Sequence, residues 1–156
     1  MPERANGGMD MQHERGFSMI KLLFILALLG GGVWYGWLLI PIYNANWKVQ
    51  DVFDSVARNM ANESEENVAR RLPELFKIKY LYHNDVPEEF YDNIRIKADG
   101  GRLEVSSYYH VTIWPLGPVT GVDPNEEYDA ADLKGMDKIR DKFRLDYDFE
   151  PYAQTP

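Results

Sequence analysis

From Leu22 to Trp47 no residue carries a charge, and from Leu22 to Ile40 (LLFILALLGGGVWYGWLLI) nearly every position is apolar. As one helix the uncharged run would be ~39 Å long, more than the ~30 Å of a bilayer's hydrocarbon core. It is apolar on every face, and the rest of the chain is too short to wrap such a helix as a core element. A secretory signal core is shorter and is followed by a small-residue cleavage site. This run ends instead in Ile40-Pro41-Ile42-Tyr43. The pattern therefore predicts a transmembrane helix over 17–43. Trp34, Tyr35, Trp37, Tyr43 and Trp47 gather at its far end, where aromatic rings suit the membrane interface. Gly32 and Gly36 form a small-x-x-x-small pair, a candidate helix-packing site. Pro41 is expected to kink the helix.

Beyond the run the periodicity changes. Val49, Val52, Phe53, Val56 and Met60 recur at three and four, which predicts that the helix continues with one apolar face. The segment NESEEN breaks the pattern. Asn62 or Ser64 is placed to cap a second helix whose stripe is Val68, Leu72, Leu75 and Phe76, and Pro73 is expected to kink or break it. Ile94, Ile96 and Ala98 alternate with charged residues, Asp99-Gly100-Gly101-Arg102 forms a turn, and Leu103 to Ile113 alternates as one return strand. Phe143, Leu145, Tyr147 and Phe149 mark another strand, and Lys77–His83 is a candidate fourth. A loop rich in Gly, Pro and Asp covers 115–136, with a short helix expected near Asp132–Ile139. The fold class is α+β. A transmembrane helix continues into an amphipathic helix, then come a second short helix and a small three- or four-stranded antiparallel sheet. The domain plan is a leader at 1–16, the span at 17–43 and an α+β domain at 44–156.

Charge sharpens the plan. The net charge is -8, yet Arg4, Arg15 and Lys21 balance Glu3, Asp10 and Glu14 before residue 41. The whole acidic surplus lies after it, and an acidic domain repels phosphate backbones, so nucleic acid is not an expected partner. Arg15 and Lys21 flank the start of the span, which by the positive-inside bias puts the N-terminus in the cytoplasm and the domain outside it. There is no cysteine, which removes thiol catalysis and disulfides. His13, His83 and His110 stand apart, and none has a metal-ligand spacing; His110 falls on the polar phase of its strand. In DPNEEYDAAD, the residues Asp123, Asn125, Glu127, Asp129 and Asp132 offer alternating oxygen ligands of the kind calcium takes. Tyr128 and Lys134 depart from the EF-hand pattern, and an ordinary acidic loop is the expectation. No cofactor, catalytic residue or metal site is predicted, and the chain is not expected to be an enzyme.

The residues Gly16-Phe17-Ser18-Met19-Ile20, followed by the apolar helix, resemble the type IV prepilin processing site. That family reads Gly-Phe-Thr/Ser-Leu-Ile-Glu-Leu-Leu, and Gly16, Phe17, Ser18, Ile20, Leu22 and Leu23 match it. The resemblance implies cleavage between Gly16 and Phe17. Lys21 departs from the pattern, because the family places glutamate there to neutralise a neighbouring subunit's terminal ammonium. A lysine would repel that ammonium, which argues against filament assembly. Over roughly 12–116 the chain also resembles an uncharacterised family of short single-span bacterial envelope proteins. The matching residues are Gly16-Phe17, Pro41-Ile42-Tyr43, Arg70-Arg71-Leu72 and the hairpin from Gly100 to Val105. These resemblances imply a pilin-like protein of the bacterial inner membrane with a periplasmic domain. Its partners would be the lipid bilayer and other pilin-like membrane proteins of a type IV pilus or type II secretion-like machine. The alternative is a signal-anchored periplasmic binding module unrelated to pili.

Overall fold

Helix α1 runs from Arg15 to Asn59, through both the apolar run and the amphipathic segment after it. The computed structural model describes residues 15–156, with side chains from Met19 onward, so most of the expected leader and His13 lie outside the described residues. The chain divides between Trp37 and Leu38 into two compact units. The first contains the apolar part of α1. Its large apolar side chains are exposed, Leu22, Phe24, Leu28 and Val33 among them by more than half. Pro41 lies inside the helix.

The second unit is built around the amphipathic part of α1. Val49, Val52, Phe53, Val56 and Met60 are all buried, as their spacing predicts. At about 1.5–3 kcal/mol per side chain, this face contributes on the order of 10 kcal/mol of apolar burial. Helix α2, Glu65–Ile78, packs on the same core through Val68, Leu72 and Phe76. Ser64 caps it, its Oγ accepting the Asn67 N–H, and Glu65 and Glu66 sit in the first turn. Pro73 does not break it. The ring is exposed, and Leu72 and Phe76 are held in the core on either side. The lost backbone bond faces water while apolar burial keeps the helix in place.

Helix α2 ends in a Schellman arrangement. Leu81 N–H donates to the Phe76 carbonyl at 2.9 Å, and Tyr80 N–H donates to the Lys77 carbonyl at 3.0 Å. The segment Lys77–His83 is therefore a helix end, a turn and the start of a 3-10 turn, not the strand its alternation suggests. Tyr80 occupies the left-handed position with φ of 55°, where glycine is the usual residue. A short helix α3, Glu88–Asp92, buries Phe90.

Five strands follow in two antiparallel sheets. The first sheet has the order β1 (Arg95–Asp99), β2 (Arg102–Ser106), β5 (Tyr152–Gln154). The second pairs β3 (Tyr109–Ile113) with β4 (Leu145–Phe149). The β1–β2 turn uses Gly100 and Gly101 at φ of 54° and 87°, as the hairpin signal requires. The expected single return strand is two strands in different sheets, separated at Ser107-Tyr108. Ser107 is buried at this corner. Its hydroxyl donates to the Phe90 carbonyl at 2.6 Å, and its N–H donates to the Pro151 carbonyl at 3.0 Å. Phe143, expected inward, is 56% exposed at the end of helix α4 (Met136–Lys142); the helix lies just beyond its expected place. From Leu145 to Phe149 the predicted inward phase holds.

A run of ring contacts crosses the core. Phe53 stacks on Phe90 at 6.1 Å, Phe90 meets Tyr109 edge-on at 5.5 Å, and Tyr109 stacks on Phe149 at 5.2 Å. Burial pushes the Tyr109 hydroxyl's pKa up, and the hydroxyl donates to Asn46 Oδ1 at 3.3 Å. The C-terminus is tied to α1 as well. Gln50 makes paired bonds with the backbone of Tyr152, and the Thr155 hydroxyl donates to the Ala57 carbonyl at 3.0 Å.

Candidate functional site

Three features of the molecule can carry function. The first is the apolar helix itself. It is long and apolar enough to cross a membrane, and none of its most apolar stretch is buried. That is compatible with a single-pass or signal-anchored protein. Gly32 and Gly36 lie on it, and a Cβ added at either would meet nothing within 4 Å. Lipid or a second helix would find both positions open. Gly16 and Phe17 fall in the first turn of α1, and their side chains lie outside the described residues.

The second feature is a groove of about 490 Å³ between α2 and β1, a size typical of ligand sites. Leu72, Pro73 and Phe76 form one wall, and Tyr91, Ile94 and Ile96 form the other. Glu65 and Glu66 close one end. β1 is an edge strand, and Glu65 Oε1 accepts the Ala98 N–H at 3.0 Å on that edge. One carboxylate thus satisfies part of the edge. The groove beside it is apolar, shallow and open, which suits an extended peptide better than a small polar substrate.

The third feature is the outer face of the β3–β4 sheet. The register sets His110 opposite Asp148 and Thr112 opposite Asp146. His110 Nδ1 lies 2.7 Å from Asp148 Oδ1, and its Nε2 lies 3.2 Å from Thr112 Oγ1 and 3.4 Å from Asp146 Oδ1. Tyr108 donates to Asp148 at 3.0 Å, and Arg144 Nε donates to Asp146 at 2.9 Å. The Arg144 guanidinium lies 5.8 Å from the Trp114 ring centroid. The hydrogen bond to Asp148 raises the His110 pKa most; burial opposes it, and the hydrogen bond to Asp146 adds to the rise. The Asp148 carboxyl is held below its ordinary range, first by His110 and then by Tyr108. Burial pulls Asp146 upward, but the Thr112 hydrogen bond and the Arg144 charge outweigh it and leave its pKa lowered.

The order Asp148–His110–Thr112 has the connectivity of a nucleophile–base relay. The geometry argues against that chemistry. The Thr112 hydroxyl donates to Asp146 Oδ1 at 2.9 Å, so its proton is directed away from the imidazole. The carboxylates that face both ring nitrogens raise the His110 pKa, which favours the imidazolium over the free base. The two ring nitrogens face different carboxylates, an arrangement that clips β3 to β4. Among the described residues no three of His, Asp and Glu are arranged to hold a metal ion. In the acidic loop, Asp123 Oδ1 accepts the Asn125 N–H at 2.9 Å and Asp129 Oδ1 accepts the Ala131 N–H at 2.8 Å. Both carboxylates are thereby used to cap local turns.

Sequence reading put His110 on the exposed phase but did not link it to Asp146 and Asp148. The signal was the pair of strands His-x-Thr and Asp-x-Asp, which becomes a ladder only once the register is known. No family model, no curated protein and no solved structure matches the chain.

Proposed function

We propose that this chain is a non-enzymatic, single-pass envelope protein of pilin-like type, whose periplasmic domain binds a partner protein in a type IV pilus or type II secretion-like machine. The observation that carries the anchored reading is the apolar part of α1. Its large apolar side chains from Met19 to Trp37 are 41–76% exposed, so the protein offers them no core. In water that surface would aggregate, whereas in a bilayer it is solvated. Arg15 and Lys21 at one end and the acidic domain at the other support a cytoplasmic N-terminus. The apolar groove beside β1 supports binding, and the clip that His110 forms between β3 and β4 supports a structural reading of that face. The pilin-like part rests on Gly16-Phe17 and the residues after them.

The reading is tested by the intact mass of the protein from native inner membranes. A chain beginning at Phe17 supports pilin-type processing. A chain retaining the residues before Phe17 rejects it and leaves a signal-anchored binding module. Recovery in the soluble fraction rejects both.

A further inference from the structure

The turn that ends α2 displays apolar rings where the core has no use for them. Ile78 is 61% exposed, Tyr80 69% and Tyr82 61%, while Leu81 between them is 2% exposed and belongs to the core. Tyr80 also sits at φ of 55°, a conformation that L side chains adopt at a cost and that glycine adopts readily. A large exposed aromatic kept in a strained position is a signal of use outside the fold.

Two contacts fix where this turn lies. Lys48 Nζ donates to the Tyr80 carbonyl at 3.0 Å, and Lys79 Nζ meets Asp51 at 2.6 Å. The turn is thus held against α1 at residues 48–51. Trp47, 68% exposed, is one helical turn before Asp51 on the same side of the helix. Lys48 is also the first charged residue after the apolar run. The uncharged helix from Leu22 to Trp47 measures ~39 Å, close to the ~40–45 Å of a bilayer with its head groups. Counted along the chain from Leu22 at the inner head groups, that length brings residues 47–51 to the outer head-group layer, and the turn is fastened to those residues.

We propose that Ile78, Tyr80 and Tyr82, with Trp47, form an interfacial pad that rests in the head-group layer of the bilayer holding the span. Tryptophan and tyrosine favour that layer, and lysines reach from it toward water. The charges around the pad fit the same place. Over 47–51 and 74–85, Lys48, Lys77 and Lys79 balance Asp51, Glu74 and Asp85, so these segments sum to zero in a chain of net charge -8. The rest of the domain, being acidic, is repelled by anionic head groups, which leaves this end to face them. The proposal rests on the anchored reading.

The chain has no cysteine, so single-cysteine variants of the full-length protein take one nitroxide label each. Labels at Leu29→Cys in the span, Tyr82→Cys in the pad and Glu127→Cys in the acidic loop are compared in nanodiscs of three parts phosphatidylethanolamine to one part phosphatidylglycerol. Collision rates with oxygen and with a water-soluble nickel chelate are read by electron paramagnetic resonance. The pad predicts nickel access at Tyr82→Cys several-fold below that at Glu127→Cys, with Leu29→Cys shielded further. Adding Tyr80→Gly should raise nickel access at Tyr82→Cys while the melting temperature rises, which separates loss of docking from loss of fold. Equal nickel access at Tyr82→Cys and Glu127→Cys, with Leu29→Cys shielded, overturns the pad and leaves the anchor standing. Free nickel access at Leu29→Cys overturns the anchor itself. Shielding at Tyr82→Cys that persists in a lipid-free amphipol assigns the surface to a protein neighbour and overturns the pad.

Discussion

Helix α1 contains two apolar stretches with opposite fates. From Leu22 to Ile40 the side chains are apolar all round, and the large ones are exposed apart from the half-buried Leu38 and Leu39. From Val49 to Met60 they are apolar on one face and buried to 6% exposure or less. The backbone is helical in both. The difference lies in period: a stripe can be covered by α2 and the strands, but a full apolar cylinder needs a surrounding solvent of its own. One helix is therefore read as serving two media, lipid first and the domain core second.

The largest effects should come from exchanging the character of the two stretches. Leu29→Arg puts a charge at the middle of the span and should cost about 2.5–3.5 kcal/mol of insertion. Membrane fractionation should show most of the protein lost from the bilayer, while the domain's melting temperature holds. Phe53→Ala should do the reverse. Phe53 is fully buried among Phe76 and Phe90, and its truncation should cost about 3–5 kcal/mol. A thermal melt would fall sharply with membrane association unchanged. If Phe53→Ala released the protein from membranes as well, the two stretches would not be independent.

A smaller effect is expected at the corner between the sheets. Ser107→Ala removes the hydroxyl that donates to the Phe90 carbonyl and should lower stability by about 1–3 kcal/mol, read as a denaturant midpoint. Tyr80→Gly should move the other way. Relief of the left-handed conformation is worth about 1–2 kcal/mol. The added flexibility of the unfolded glycine chain offsets about 0.5–1 of that. A melting temperature that falls on Tyr80→Gly would mean that the ring stabilises the fold, contrary to its exposure.

The smallest effect concerns pH. His110 has a raised pKa in the folded protein, so its contribution is complete below the ordinary value of about 6.5 and is lost as pH rises through the folded value. Asp146 and Asp148 have lowered values. Their contributions are complete above about 3.9 and are lost as pH falls through the folded values. The β3–β4 pair should therefore be most stable between those limits and loosen above neutral pH. Thermal melts at pH 5.5 and pH 8 should differ more for the wild type than for His110→Gln. Equal differences would remove the ladder from any role in stability.

The same comparison explains which parts of the fold could be read from sequence. The two stretches of α1 and the stripe on α2 were legible because a helix face has a long, regular period that burial directly demands. The cap at Ser64 and the turn at Gly100-Gly101 were legible because each needs specific backbone chemistry. The corner at Ser107 was not. Leu103, Val105, Ser107 and Tyr109 keep a two-residue alternation straight through it, and alternation does not record which sheet a strand joins. Strand β5 has three residues after Pro151 and too little length for a pattern. Lys77–His83 alternated like a strand because a Schellman turn happens to bury Leu81 between exposed neighbours. Of the candidate sites, the span was legible from composition. The His110 ladder and the groove depend on register and packing, which single residues do not disclose.

The central claim is that Leu22–Ile40 lies in lipid on all its faces. A cysteine scan through that stretch in native membranes, probed with a water-soluble maleimide, tests it directly because the chain has no other cysteine. The account predicts continuous protection from Leu22 to Ile40, with reactivity at exposed domain positions such as Glu127. Reactivity recurring every three to four residues within the stretch would show a helix lying at a surface with one face in water, and would contradict it.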